Sequence, residues 1–196
     1  MRSIFGINQS IPDATGRVSR GQFLRLGWWF TLALWLMAAM LSLLFGRLGI
    51  WSALKPAGLA SKHTALGGLL GLLVGAGAGA LVVYWRPLRV IAERLNAVIA
   101  WETFRTSDYV VVASMAALGE EPLFRGTLQP LIGLLPTAVL FGLLHATSTA
   151  HVILASVLGV LLGLLYQWSG SLWPPIAAHL GIDLVTGLFL ARKSLT

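Results

Sequence analysis

Long apolar runs, separated by short segments that hold almost all of the arginines and lysines, constrain this chain more than any other feature. Hydrophobic residues make up 57% of it and charged residues 11%, whereas a soluble domain carries about 25% charged residues. The chain therefore has too little polar surface to cover a globule in water. Because about 20 apolar residues cross a bilayer as a helix, the sequence predicts an all-α, polytopic transmembrane helix bundle.

Six apolar segments are predicted to span the membrane, at residues 27–45, 65–84, 107–130, 134–149, 152–168 and 172–190. Between the second and the third, arginines alternate with aliphatic residues at helical spacing, which is typical of an amphipathic helix on the membrane surface. We expect one membrane domain over residues 1–196. Its predicted parts are an N-terminal cytoplasmic segment (1–26), two accessory spans (27–84), the amphipathic helix (85–105) and a catalytic four-helix core (107–190).

The basic residues indicate an orientation in the membrane. With six spans and an inner N-terminus, ten lysines and arginines fall on the inner side, and Arg47, Lys55, Lys62 and Arg125 fall on the outer side. This bias favours cytoplasmic termini. The same interspersed pattern argues against nucleic acid as the partner of a chain with a net charge of +7.

The second apolar segment carries a glycine at every fourth position, at Gly67, Gly71, Gly75 and Gly79. This spacing places the glycines on one helix face, where a second helix can approach closely. We expect this face to serve packing.

Ionisable residues inside the predicted spans are few, and their cost of about 2.5–3.5 kcal/mol each makes them candidates for function. They are Glu120, Glu121, Arg125, His145, His179 and Asp183. His151 lies near the edge between the fourth and fifth segments, so the sequence does not decide whether it is inside the membrane.

Helical spacing sorts these residues, because positions four apart share a face. Glu121 and Arg125 can form an ion pair, which leaves Glu120 pointing about 100° away. The same spacing relates Phe141 to His145 and His179 to Asp183, and Pro122 can kink the helix that carries the glutamates.

The depth of these residues in the bilayer indicates whether they can meet in one site. Counted from outer ends at Pro130, Leu134 and Leu172, Glu120 lies about 15 Å deep, His145 about 16 Å and His179 about 10 Å. The three helices are thus predicted to bring polar groups into one cavity in the middle to outer half of the bilayer.

Water activation is the chemistry that these groups favour. The chain has no cysteine, and no serine stands in a nucleophile-elbow setting. A carboxylate in an apolar cavity can act as a general base on water, and imidazoles can position that water or stabilise an oxyanion. Zinc is the alternative, because Glu120, His145 and His179 suit Zn²⁺ in kind.

The three motifs, Glu120-Glu121-x-x-x-Arg125, Phe141-x-x-x-His145 and His179-x-x-x-Asp183, resemble the signature of the CPBP intramembrane proteases, which include CaaX prenyl endopeptidases and bacteriocin-processing or Abi proteins. The resemblance covers about residues 107–190. It implies that Glu120 activates water with help from His145, that His179 and Asp183 stabilise the oxyanion, and that Glu121, Arg125 and Phe141 hold the site in shape. Family members often carry asparagine at the position of Asp183.

The resulting expectation is an intramembrane endopeptidase of a bacterial plasma membrane. It would cut a membrane protein, or a protein with a lipid anchor or C-terminal signal, near a membrane-embedded C-terminal segment. An outer-half cavity would favour secreted or surface substrates over cytoplasmic prenylated ones. The alternatives are a prenyl-protein endopeptidase, a non-catalytic immunity or scaffold protein, and a proton- or ion-coupled transporter, although the halves show no inverted repeat.

Overall fold

The structure is a computed structural model that describes residues 16–46, 52–55 and 58–194, with only the backbone of Ile91 and residues 191–194. Residues 1–15 of the predicted cytoplasmic segment and Arg47 of the first loop lie outside the described residues, as do the side chains of Arg192 and Lys193.

The described residues form an α-helical bundle, so the predicted all-α polytopic fold is confirmed. The main helices are α1 (Arg20–Leu44), α2 (Lys62–Tyr84), α3 (Arg86–Val98), α4 (Thr106–Leu123), α5 (Gln129–Ile132), α6 (Leu134–Leu144), α7 (Thr149–Ser169) and α8 (Trp173–Ser194). Among them α1, α2, α7 and the part of α8 up to Leu190 are long and apolar enough to cross a membrane, and α6 is apolar but shorter.

Several helix ends differ from the prediction for local physical reasons. α1 begins before the apolar run, because the Ser19 hydroxyl accepts from the Gln22 N–H and the Gln22 side chain accepts from the Ser19 N–H. α3 is shorter than 85–105, because its chain leaves the helix to pair Ile99 with Val18. α7 begins three residues early, where Ser148 caps it.

The glycine face of α2 packs along α8, as the four-residue spacing predicted. A methyl group built on Gly71 would lie 2.2 Å from the Ala178 carbonyl oxygen, and one on Gly67 would lie 2.5 Å from the Pro174 carbonyl oxygen. Backbone therefore meets backbone along this seam, which fixes the height of α8 against α2.

The sequence predicts that the amphipathic helix α3 lies on the membrane surface. In the structure, part of its apolar face packs against the protein. Leu88 and Ala92 are buried and pack with Val82 of α2 and with Ala150 and Leu154 of α7. Only Trp85 separates α3 from α2, so the chain turns sharply and folds α3 over the end of the bundle.

The start of α1 and the start of α4 are joined at the same end of the bundle. The Arg20 guanidinium donates to both carboxylate oxygens of buried Asp108, at 2.5 and 2.7 Å. We call this the α3 end, because Val18 also pairs with Ile99 just after α3. The opposite end holds Lys62 and the start of α8, where the Leu172 N–H donates to the Ala53 carbonyl.

Candidate active site

Glu121 is the centre of a buried network that joins three helices. Its Oε1 accepts from Nη1 of Arg125 at 2.9 Å and from Nδ1 of His179 at 2.7 Å. Arg125 also donates through Nη2 to the Gly159 carbonyl on α7, at 3.0 Å. Both charged side chains are fully buried. The ion pair expected from the four-residue spacing is therefore present, and it ties α4 to α7 and α8.

A π-helical turn, Phe124–Leu128, follows α4 and begins two residues after Pro122. Proline cannot donate a backbone hydrogen bond, and such π turns often occur at functional sites. Here the Thr127 hydroxyl donates to the Pro122 carbonyl at 3.1 Å, and the turn carries Arg125. The proline thus marks a change of helix winding rather than the end of the predicted segment.

Glu120 is the acid without such partners. Its Oε2 is buried and has no hydrogen-bond partner among the described residues. This oxygen lies 3.9 Å from Nε2 of His145 and 3.9 Å from Nε2 of His179. Both separations are too long for direct hydrogen bonds and suit a bridging water.

Both imidazoles are oriented through their other nitrogen. Nδ1 of His145 lies 2.7 Å from the Phe141 carbonyl oxygen, and Nδ1 of His179 bonds to Glu121. Because both partners are acceptors, each Nδ1 carries a proton and donates it. Each ring consequently turns Nε2 toward Glu120.

The predicted segment 134–149 places His145 inside a helix, but in the structure His145 lies just after one. α6 ends at Leu144, and His145 is its C-cap, with its N–H donating to the Gly142 carbonyl at 3.0 Å. The chain turns here because α6 and α7 form a close antiparallel pair. A methyl group on Gly142 would lie 2.5 Å from the Val152 carbonyl oxygen.

The ring of Phe141 connects the network to the imidazoles. Its centroid lies 4.7 Å from the guanidinium carbon of Arg125 and 4.5 Å from the His145 ring. The His179 ring stands edge-on at 5.9 Å. Phe141 is itself buried, so it separates the ion pair from the open space around His145.

Asp183 lies on the open side of the site. One of its carboxylate oxygens is 3.4 Å from Nε2 of His179, and its side chain is 38% exposed. The sequence left open whether Asp183 orients His179 or takes part in the reaction. In the structure Nδ1 of His179 contacts Glu121, so Asp183 and Glu120 both face the other ring nitrogen, Nε2.

A cavity of about 100 Å³ adjoins these residues and extends toward the α3 end of the bundle. Its lining includes His145, His151, His179, Asp183, Val82 and Thr186. Val82 lies two residues before α2 ends, and His151 is in the first turn of α7. The cavity thus lies toward the end of the bundle that holds the start of α1, and the prediction of an outer-half cavity depends on which side of the membrane this end faces.

Two residues lie elsewhere than the depth estimate requires. Leu134 is not at a helix end that faces the surface, because it packs beside Gly163, six residues before α7 ends at Ser169, so it lies about 9 Å inside the bundle. Arg125 is not a loop charge, because it is buried in the site.

The three residues named as possible zinc ligands are not arranged as a metal site. No group of three or more His, Asp or Glu side chains in the described part of the chain has the geometry to hold a metal ion. The Glu120 oxygen and each Nε2 are 3.9 Å apart, whereas ligands about 2.0–2.1 Å from a tetrahedral Zn²⁺ lie about 3.3 Å from one another. The donor positions therefore do not fit a resident Zn²⁺.

Sequence reasoning missed some residues around the site. The Gln129 side chain donates to the Gly163 carbonyl at 3.0 Å, and the Thr147 hydroxyl lies 2.8 Å from Nδ1 of His151. A pattern on α7 could have indicated where these contacts form, because small residues recur there at every fourth position, at Ala155, Gly159 and Gly163. The carbonyls of Gly159 and Gly163 accept the hydrogen bonds from Arg125 and Gln129. The same rule had identified the glycine face of α2.

Fold and site together define the class as a polytopic helical membrane protein with a buried carboxylate facing two oriented imidazoles. Residues 102–185 match the family described as type II CAAX prenyl endopeptidase Rce1-like, and all of the predicted site residues fall within this range. The predicted resemblance to the CPBP intramembrane proteases is confirmed over this segment.

One curated relative gives a second comparison. The chain is 38% identical over 79 residues to the uncharacterized protein YpbD of Bacillus subtilis (strain 168). The match covers 39% of this chain and 42% of YpbD, so the chain aligns with less than half of this relative. No solved structure is significantly similar to the chain.

Proposed function

We propose that this protein is a CAAX-type intramembrane endopeptidase that hydrolyses a peptide bond near a membrane-embedded C-terminal segment of its substrate. The observation that carries this proposal is the buried, unpartnered Oε2 of Glu120, 3.9 Å from Nε2 of both His145 and His179. The family of residues 102–185 supports the same activity.

In the proposed reaction, a water molecule lies between Glu120 and the two imidazoles. Glu120 takes a proton from this water as the new carbon–oxygen bond forms at the scissile carbonyl. The carbonyl oxygen becomes an oxyanion, which His145 or His179 stabilises through Nε2–H when its imidazole is doubly protonated. The proton on Glu120 then passes to the amide nitrogen as the carbon–nitrogen bond breaks, which releases an amine and a carboxylic acid.

The contacts of the two glutamates favour Glu120 as the base. Glu121 is already bonded to Arg125 and His179 through Oε1, so protonating it would disrupt the network that orients His179. Asp183 is an acceptor toward His179 unless it is protonated. We therefore assign it to support of the imidazole rather than to direct stabilisation of the oxyanion.

The substrate would be a membrane protein or a lipid-anchored protein, reached through the cavity. The cavity extends toward the α3 end, where Arg17, Arg20, Arg86, Arg89 and Arg94 lie. The positive-inside rule makes this end cytoplasmic, in a bacterial inner membrane. This direction favours the alternative in which the substrates are prenylated proteins, because these are cytoplasmic.

Cleavage by purified protein in liposomes tests the proposal. The substrates are labelled peptides with a polar N-terminal part, a junction of varied sequence and about 20 apolar residues, one set carrying a prenylated cysteine. We expect Glu120→Gln to reduce kcat at least 100-fold, in line with loss of a general base, and His145→Ala to reduce it strongly. The matched control is Glu93→Gln, because Glu93 is exposed on α3.

Cleavage that persists in Glu120→Gln would contradict the mechanism. If the wild-type protein cleaves none of the substrates, the non-catalytic reading gains support. A loss of activity on adding a chelator, restored by Zn²⁺, would contradict the metal-free mechanism.

A further inference from the structure

His151 is the histidine of the cavity that the proposed reaction does not use. It lines the cavity together with His145, His179 and Asp183. Its Nδ1 lies 2.8 Å from the Thr147 hydroxyl, and its backbone N–H donates to the Ser148 side chain at 3.2 Å. The ring is thus fixed at the start of α7 by Thr147 and by the backbone of His145, and its Nε2 has no side-chain hydrogen-bond partner among the described residues.

The remaining wall of the cavity is mostly apolar. It includes Ala78 and Val82 of α2 and Leu154, Leu158 and Leu162 of α7. A substrate in this space must find partners for its backbone N–H and C=O groups, because burying an unpaired peptide group is costly. Thr186 also lines the cavity, but its hydroxyl donates to the Gly75 carbonyl at 3.5 Å.

The cavity is small, with a volume of about 100 Å³. In a helical segment each carbonyl oxygen is already bonded within the helix, and side chains surround the backbone, so a helical substrate could not present its scissile carbonyl to a water on Glu120. A segment that reaches Glu120 would therefore be extended, and its peptide groups would have no partners within the segment.

The position of His151 suits such an extended segment. Its ring centroid lies 5.9 Å from that of His145, with the planes at 82°. An extended chain advances about 3.3 Å per residue, so the two rings are about two residues apart along it. A peptide group offers both a donor and an acceptor, so Nε2 finds a partner in either tautomer.

We propose that His151 is a substrate-positioning residue that hydrogen-bonds a peptide group about two residues from the scissile bond, on the α3 side of the cavity. The inference rests on the proposed function. Such a residue holds the extended segment in register, so that Glu120 and its water face one particular carbonyl group.

The test compares three variants in liposomes with one fluorescent peptide, which has a polar N-terminal part and about 20 apolar residues. His151→Phe keeps a ring and removes both nitrogens, and His151→Gln keeps a side-chain N–H. The control is His63→Phe, because His63 packs against Trp168 away from the cavity.

We expect His151→Phe to raise KM roughly fivefold to tenfold, the loss of about one hydrogen bond, while kcat changes less than about twofold. His151→Gln should recover most of this loss, and His63→Phe should match the wild type. Because a purely structural role for His151 would lower the amount of folded enzyme, it would reduce kcat in both His151 variants and leave KM unchanged.

A binding measurement separates this inference from the proposed function. In the Glu120→Gln protein the same peptide is titrated with and without His151→Phe. Equal affinities would overturn the role of His151, even if the wild type cleaves the peptide. A weaker affinity with His151→Phe would support the role even if no cleavage is seen, in which case the proposed function alone would fail.

Discussion

Two neighbouring glutamates occupy opposite electrostatic situations. Each acid has one buried oxygen, Oε2, without a hydrogen-bond partner among the described residues. Glu121 accepts from a cation and an imidazole through Oε1 and is fully buried with them, whereas Oε2 of Glu120 lies 3.9 Å from two imidazole nitrogens. A carboxylate with two hydrogen-bond partners stabilises the fold, and one whose exposed side faces only open space and imidazoles remains available for a reaction. Side by side in sequence, the two acids therefore divide structure and chemistry between them.

Thermal stability in detergent tests this division. Glu121→Gln leaves Arg125 as an uncompensated buried charge, and we expect it to lower the free energy of unfolding by about 3–5 kcal/mol. Glu120→Gln removes a carboxylate whose Oε2 makes no direct hydrogen bond within the described residues, and we expect a change of less than about 1 kcal/mol. The measurement is denaturant titration followed by tryptophan fluorescence, and equal losses in the two variants would contradict the assignment.

The seam between α2 and α8 determines where His179 stands. Gly71 meets the backbone at Ala178, the residue next to His179, and Gly75 meets it at Ile182, next to Asp183. Backbone cannot yield as a flexible side chain can. The glycines of α2, which make no contact with the reaction itself, therefore set the distance between His179 and the glutamates on α4.

Substitution of single glycines tests this role. A methyl group at Gly71 would lie 2.2 Å from the Ala178 carbonyl oxygen, whereas one at Gly77 would meet nothing within 4 Å. We expect Gly71→Ala to destabilise the protein by at least about 1–3 kcal/mol and to abolish cleavage, and Gly77→Ala to be neutral. Both are read by denaturant titration and by the peptide assay. If Gly71→Ala is as stable as the wild type, α2 and α8 can move apart without cost, and the seam does not fix the position of His179.

Sequence reasoning succeeded where the interaction lies within one helix. The pairing of Glu121 with Arg125 and of Phe141 with His145 followed from a separation of four residues. It could not find the bonds from His179 to Glu121 or from Arg125 to Gly159, because these depend on how α4, α7 and α8 pack. It also placed His145 inside a helix, because the predicted segment ran on to residue 149, although the polar residues Thr147 and Ser148 follow His145 and Ser148 is the N-cap of α7.

At the scale of the whole molecule, the two ends of the bundle differ in charge and in access to the site. The α3 end carries the arginines of α1 and α3 and the cavity, and the opposite end carries Lys55 and Lys62. Positive charge near helix ends favours the cytoplasmic side. Substrate and water are thus expected to enter from the cytoplasm.

Cysteine labelling tests this orientation, because the chain has no cysteine of its own. We expect Thr186→Cys, in the cavity, to react with a membrane-impermeant maleimide in inverted membrane vesicles and to be protected in intact spheroplasts. The control, Ser61→Cys at the opposite end, should show the reverse. Labelling of Thr186→Cys only from outside the cell would overturn the orientation.

The shortness of α6 has a consequence for the surrounding lipid. Leu134 packs beside Gly163, so α7 continues for six residues beyond the level at which α6 begins, about 9 Å. Leu135, Val139 and Leu143 face outward along α6. The apolar belt of the protein is therefore uneven, and beside α6 the bilayer must thin or its lipids must tilt, at a fraction of a kcal/mol for each ångström of mismatch.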